Sequence, residues 1–293
     1  AMLSYIRLIR VHQWVKNLFM FLPLFFAGRI FNYDALWHVA IGFLAFSFIA
    51  SFVYVLNDSI DIESDRLHPE KRTRPLASGS ISKTSALILA TMLLMAGLII
   101  AYLLNRNFFF TLLFYFFINL LYTFKLKHVP VLDITIIAVG FVLRIWSGAE
   151  IADVVNSKWI ILMTFLLALL LGFAKRRDDV LIFNHSGQKM RKSVDGYNLE
   201  FINSSMVLMA GVVIVCYIMY TLSPEVVSRW KTENLYITAA PVVLGVLRYL
   251  QLTFVQNKSG NPTRILINDF PIQILILFWI VLFYVMIYLH KIL

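Results

Sequence analysis

The sequence predicts an all-α polytopic membrane protein, with about nine transmembrane helices around a central cavity and a cytoplasmic N-terminus. Three observations predict it. The 293 residues are 60% hydrophobic and only 14% charged, with a mean hydropathy of +0.79, a membrane composition rather than a soluble one. Apolar runs near the length of a bilayer span recur along the whole chain. Basic residues gather on alternate connections between those runs. The runs are continuous rather than alternating, which argues against a membrane β-barrel.

The predicted spans, in order, are 15–31, 36–56, 84–104, 107–124, 131–150, 159–174, 202–222, 235–256 and 271–290. The first is interrupted by Pro23 and the sixth is short for a bilayer. Trp14 reads as an interface anchor at the start of the first span. Arg144 lies deep in the fifth span, where an intramembrane cation needs a partner or a cavity; Glu150 or a backbone carbonyl would serve. Asp133, at the inner end of the same span, is placed to pair with a basic residue of the central site. Asp269 stands ahead of Pro271, where it would cap the last span. Cys216 sits in an apolar run and reads as a small core residue.

With the N-terminus inside, the inward connections carry roughly 18 of the 26 basic residues. Much of the net charge of +10 is therefore topological, and no nucleic-acid partner is expected. No small-residue cleavage site follows Arg7, Arg10 and Lys16, so no removable signal peptide is expected. The two longest inward connections are 57–83, after the second span, and 175–201, after the sixth. Their spacing suggests two related halves facing one cavity. No interdomain linker is visible, and residues 1–293 read as one domain.

The connection 57–83 opens with Asn57, Asp58, Asp61 and Asp65. Asp58, Asp61 and Asp65 follow an i, i+3, i+7 pattern, which puts three carboxylates on one helical face. Such acids repel one another unless a cation joins them. Carboxylate oxygens suit Mg²⁺, which keeps several waters and bridges a few carboxylates to substrate phosphates. Ile60 and Ile62 fall on the other face, where they would pack into the bundle. Pro69 should end the helix. Lys71, Arg72 and Arg74 then follow on a loop, with a guanidinium fork or an ammonium point charge to offer phosphate. A solvated helix end with ordinary ion pairs is the plainer reading of the same residues.

The connection 175–201 holds Lys175, Arg176, Arg177, Asp178 and Asp179, then Lys189, Arg191 and Lys192. Asp178 and Asp179 have no carboxylate one turn further on, so this segment suits phosphate better than a second metal ion. A juxtamembrane basic patch against anionic lipid is its plainer reading. Lys16, at the inner start of the first span, either reaches a phosphate or snorkels to the interface. The six histidines have no zinc spacing. No Walker lysine loop, dinucleotide fingerprint or serine nucleophile elbow is present.

Asn57-Asp58-x-x-Asp61-x-x-x-Asp65, followed by His68-Pro69-x-Lys71-Arg72-x-Arg74-Pro75-Leu76-x-Ser78-Gly79, resembles the first motif of the UbiA superfamily of intramembrane prenyltransferases. The likeness covers nearly the whole chain. It implies that Asn57, Asp58, Asp61 and Asp65 bind Mg²⁺ and a substrate pyrophosphate, with Lys71, Arg72 and Arg74 nearby. The two Asp four apart of aromatic-accepting members are missing here. Phe173-Ala174-Lys175-Arg176-Arg177-Asp178-Asp179 and Arg191-Lys192-Ser193-x-x-x-Tyr197 are instead similar to the decaprenyl-phosphate phosphoribosyltransferase branch. So are Gln13-Trp14-x-Lys16-Asn17 and Arg248-Tyr249 with Asp269. Asp179 stands where that branch carries Glu.

The resemblance implies Mg²⁺-dependent transfer of a 5-phosphoribosyl group from phosphoribosyl pyrophosphate to a polyprenyl phosphate in a bacterial plasma membrane, with the active site facing the cytoplasm. Asp58, Asp61, Asp65, Lys71 and Arg72 would act on the pyrophosphate. Lys16, Asn57, Arg74, Lys175, Arg176, Asp179, Arg191, Lys192 and Tyr197 would bind substrates. The alternative within the superfamily is transfer of a prenyl group from prenyl pyrophosphate to an aromatic, 4-hydroxybenzoate-like or other lipophilic acceptor.

Overall fold

A computed structural model describes residues 2–67, 71–187, 189, 192–258 and 262–288, apart from the side chains of 262, 263, 266 and 288. Its described residues are helical or irregular, without strands. Among the described residues, eight helical stretches are long and apolar enough to cross a membrane. They contain α1 (Tyr33–Ile60), α2 (Lys83–Leu104), α3 (Arg106–Phe124), α4 (Leu132–Ala152), α5 (Lys158–Ser186), α6 (Leu199–Leu222), α7 (Ala239–Phe254) and α8 (Phe270–Tyr288).

Side-chain caps explain where several of them start. Asn32, Ser82, Asn105 and Asn198 each accept from a backbone N–H three residues on, opening α1, α2, α3 and α6. Asn105 also closes α2, and its extended backbone (φ −161°, ψ 128°) separates the two helices without a loop. Asp269 accepts from the Ile272 N–H at 3.0 Å, the cap expected for the last helix.

Two expectations fail here. The run 15–31 is not one continuous α-helix: a 3₁₀ stretch, Val11–Phe21, is followed by the short helix Leu22–Phe26, and the segment runs antiparallel beside α1, from Trp14 at Ser51 to Phe21 at Phe43. Its polar side chains are the reason. Asn17 donates to Ser47 at 2.8 Å and Trp14 to Ser51 at 3.0 Å, while the Ser51 hydroxyl donates to the Ile9 carbonyl. The segment is tied sideways to α1, and Trp14 is half-buried against Phe48. The second correction concerns the sixth run, expected to end at 174. α5 continues to Ser186, because no helix breaker intervenes until Gly187, whose left-handed backbone (φ 67°) stops it. The charged residues from Lys175 to Asp179 therefore ride on a helix, not a loop.

The chain forms two compact units, residues 1–126 with 140–156, and residues 127–139 with 157–293. The core of the first joins Met20, Val39, Phe46, Ile49, Phe108 and Leu112. Gly148 is required within it: a β-carbon there would collide with the Met20 carbonyl, so only glycine lets the 3₁₀ stretch lie this close. The core of the second joins Ile134, Leu170, Phe173, Ile202, Met206 and Leu252.

Candidate active-site residues

In the first unit, α1 ends at Ile60, and a new short helix, Ile62–Leu67, begins past Asp61. Asp61 lies at the break, yet the Asp61 N–H still donates to Asn57 and the Asp65 N–H to Asp61, at 3.0 and 2.8 Å. The turn thus continues with only a local loosening, and Asp58 and Asp65 keep the same inward direction. Each is only 3% exposed. Ile60 departs from its expected packing and is 45% exposed; Ile62 packs beside Leu76 and Ile81 as expected.

Arg74 connects the two buried acids. Its Nη1 donates to Asp58 at 3.0 Å and to Asp65 at 2.7 Å. One cationic nitrogen touches both carboxylates, so they lie within two hydrogen-bond lengths of each other. The loop that presents Arg74 is built for it. Lys71–Thr73 forms one 3₁₀ turn, the Ser78 N–H returns to the Arg74 carbonyl, and Gly79 takes the left-handed backbone (φ 75°) that closes the turn. Arg66 fastens the far side by donating to the Ala77 carbonyl at 3.1 Å. Arg72 is exposed, while Lys71, Asn57 and Lys16 are half-buried. His68 and Pro69 lie outside the described residues.

A second guanidinium also reaches Asp58, which the sequence did not disclose. Arg10 Nη2 donates to Asp58 Oδ1 at 2.6 Å, with its guanidinium 5.1 Å from the centre of the Tyr54 ring. Asp61 is half-buried. Among the described residues no three His, Cys, Asp or Glu side chains are gathered closely enough to hold a metal ion. Two of the three expected carboxylates converge, and a guanidinium nitrogen occupies the position between them. Hard oxygen donors facing a cationic position fit Mg²⁺, which needs only one or two carboxylates when substrate phosphates and water complete its shell.

Arg144 is 5% exposed, and its guanidinium is held by neutral groups. Its Nε donates to Asn17 and its Nη1 to the Gly140 carbonyl, both at 2.7 Å, and its plane lies over Phe46 and Phe141. A carbonyl was one of its two expected partners; Glu150, the other, instead accepts from Thr111 and Trp146. Arg144 thus seats the 3₁₀ stretch through Asn17.

In the second unit, Asp133 gathers the expected basic partner and two hydroxyls. Arg176 Nε donates to it at 2.7 Å, Tyr197 Oη at 2.7 Å and Ser193 Oγ at 3.1 Å. Arg176 Nη1 also reaches Asp179, at 2.5 Å. Arg176 and Asp133 are 1% and 0% exposed, so Arg176, Asp179 and Tyr197 build a buried charge network, with two carboxylates where a substrate phosphate was expected on Arg176. Burial, then the bond to Asp133, pushes the Tyr197 hydroxyl above the ordinary tyrosine range. Lys175 and Lys192 are exposed. Arg191 lies outside the described residues.

The sequence matches the UbiA prenyltransferase family over residues 18–264. It is 33% identical over 285 residues to the decaprenyl-phosphate phosphoribosyltransferase of Mycolicibacterium smegmatis, covering 94% of this chain and 89% of that one. The enzyme of the same name from Corynebacterium glutamicum is 30% identical over 279 residues, covering 94% and 84%. Among solved structures, a UbiA homolog from Archaeoglobus fulgidus bound to GPP and Mg²⁺ superposes with a TM-score of 0.71 at 22% identity, covering 97% of this chain and 99% of that one.

Proposed function

The chain belongs to the UbiA prenyltransferase family and is an integral membrane transferase; we propose that it moves a 5-phosphoribosyl group from phosphoribosyl pyrophosphate to a polyprenyl phosphate, releasing pyrophosphate. The likeness to the two phosphoribosyltransferases supports this choice of substrates over a prenyl donor and an aromatic acceptor. The observation that carries the chemistry is the single cationic nitrogen shared by Asp58 and Asp65.

In this reading Asp58 and Asp65, with Asp61 and Asn57 beside them, would hold Mg²⁺, which when bound would neutralise charge on the diphosphate. Arg74, which contacts both carboxylates, would then be free to bind diphosphate oxygens. Lys71 and Arg72 add positive charge where the leaving group becomes more negative. The bond from ribose C1 to the pyrophosphate oxygen breaks, and a lipid-phosphate oxygen bonds to C1. That oxygen is already anionic, so no strong general base is needed. Lys16, Lys175, Arg191 and Lys192 are assigned to anionic groups of the substrates. Arg176, Asp179 and Tyr197 fix the helix that carries Lys175 rather than touching substrate. The basic-residue bias supports an orientation in which the N-terminus and these charges would lie at the cytoplasmic face of a bacterial plasma membrane.

Purified protein in detergent, given labelled phosphoribosyl pyrophosphate, decaprenyl phosphate and Mg²⁺, should form a labelled lipid and lose that activity on chelation. Turnover of a prenyl pyrophosphate with an aromatic acceptor, and none with phosphoribosyl pyrophosphate, would replace this reading with the prenyltransferase one.

A further inference from the structure

We propose that Arg10 is a mobile counter-ion of the site, resting on Asp58 and transferring to the substrate diphosphate when Mg²⁺ takes the carboxylate. The proposal rests on the reading of Asp58 and Asp65 as a magnesium–diphosphate site. It adds a residue outside the acidic motif and a binding order that the motif does not contain.

Charge balance is the starting point. Asp58 and Asp65 carry two negative charges with 3% exposure each. Arg10 and Arg74 supply two positive charges, and both guanidinia converge on the same oxygen, Asp58 Oδ1, at 2.6 and 3.0 Å. The acids are neutralised before any metal arrives. A divalent cation entering alone must displace two guanidinia and leave them without anions in a poorly solvated place, which is costly. A diphosphate entering alone meets buried carboxylates. When they enter together, the cation takes the carboxylates and the guanidinia take the phosphate oxygens, so every charge keeps a partner.

The local structure lets Arg10 make that exchange without moving its backbone. Arg10 holds a left-handed conformation (φ 54°, ψ 50°) between the helix Met2–Leu8 and the 3₁₀ stretch. A non-glycine residue there is strained and persists only where its surroundings impose it. The surroundings do so from both sides. Ser51 donates to the Ile9 carbonyl at 2.7 Å, and the Gln13 N–H donates to the Arg10 carbonyl at 2.8 Å. The side chain, by contrast, is 20% exposed, makes its ionic contact only at its tip and lies against the face of Tyr54. That ring gives the guanidinium a cation–π platform that does not depend on Asp58. A purely structural arginine would need only the resting contact; here the tip sits on Asp58 Oδ1, the oxygen that Arg74 also holds.

The test is calorimetric titration of Mg²⁺ into purified protein, with and without inorganic pyrophosphate. Wild type should bind Mg²⁺ weakly alone and about 10-fold more tightly with pyrophosphate present, a coupling of ordinary allosteric size. Arg10→Met should bind Mg²⁺ alone more tightly than wild type and lose most of the pyrophosphate enhancement. Arg10→Gln keeps a donor for Asp58, and so preserves the resting contact if the Met variant fails to fold; it too should lose the enhancement. Arg10→Lys should restore part of it. Equal enhancement in wild type and both neutral variants overturns the role of Arg10 while leaving the metal site intact. Absence of any Mg²⁺ or pyrophosphate binding in wild type overturns the metal-site reading itself.

Discussion

Replacing Asp133 by alanine should damage the second unit more than any exposed substitution. Asp133 is fully buried and accepts from Arg176, Tyr197 and Ser193. Its loss leaves a guanidinium that is 1% exposed with Asp179 as its carboxylate partner, and removes the acceptor of two hydroxyls. Breaking a buried pair by deleting one partner costs about 3–5 kcal/mol. The surviving contact to Asp179 puts the expectation near the lower end, about 3 kcal/mol. Neutral interhelical hydrogen bonds in membranes average only about 0.6 kcal/mol, because the unfolded helices find other partners. The two magnitudes are far enough apart to separate a buried charge pair from an ordinary polar contact. Asp133→Ala, Arg176→Met and the double variant would be unfolded reversibly in mixed micelles and followed by tryptophan fluorescence. The double variant should cost clearly less than the two singles added, with a coupling of at least about 2 kcal/mol. A coupling under about 1 kcal/mol would contradict the buried ion pair.

Asp58→Asn and Asp61→Ala should each abolish Mg²⁺-dependent lipid labelling while the protein still elutes as a folded species; retained activity in both would remove the metal from the first unit. Gly148→Ala should destabilise by about 1–3 kcal/mol through overpacking, read as a lower detergent unfolding midpoint, since its new methyl meets the Met20 carbonyl; an unchanged midpoint would mean that the 3₁₀ stretch yields freely. The Asp269 carboxyl is held below its usual range, chiefly by its hydrogen bonds from Arg248. A depressed folded pKa gives stability that is present above the ordinary carboxylate range and lost as pH falls through the folded value. Asp269→Asn should therefore flatten the acid limb of a pH–stability curve, and an unaltered limb would contradict the pairing.

Much of the fold was legible because lipid solvation imposes a one-dimensional rule: a span must be long and apolar. That rule located eight stretches and missed the 3₁₀ path of the first, where apolar residues alternate with Gln13, Lys16 and Asn17. Asn17 bonds to Ser47 and Arg144, and Trp14 to Ser51, all far along the chain, so hydropathy could not disclose that path. α5 outruns its apolar stretch for the opposite reason. Charge at Lys175 suggests the end of a helix, whereas the physical stop is the left-handed Gly187, visible in the sequence as the first breaker after 174. In the site, the spacing of Asp58 and Asp65 correctly implied one face. Which cation each acid meets was not legible, since Arg10 lies 48 residues from Asp58 and Arg176 lies 43 from Asp133. Asp133 carried a usable signal as a lone carboxylate at the end of an apolar run, and the basic partner expected for it proved to be Arg176.

The most direct test is a structure determined with Mn²⁺ in place of Mg²⁺ and with pyrophosphate, read by the anomalous signal of the metal. A peak is expected in contact with the Asp58 and Asp65 carboxylates, where Arg74 Nη1 now lies, with Arg74 turned onto the diphosphate. A diphosphate bound elsewhere, with Arg74 still bridging the two aspartates and no metal between them, would contradict that expectation.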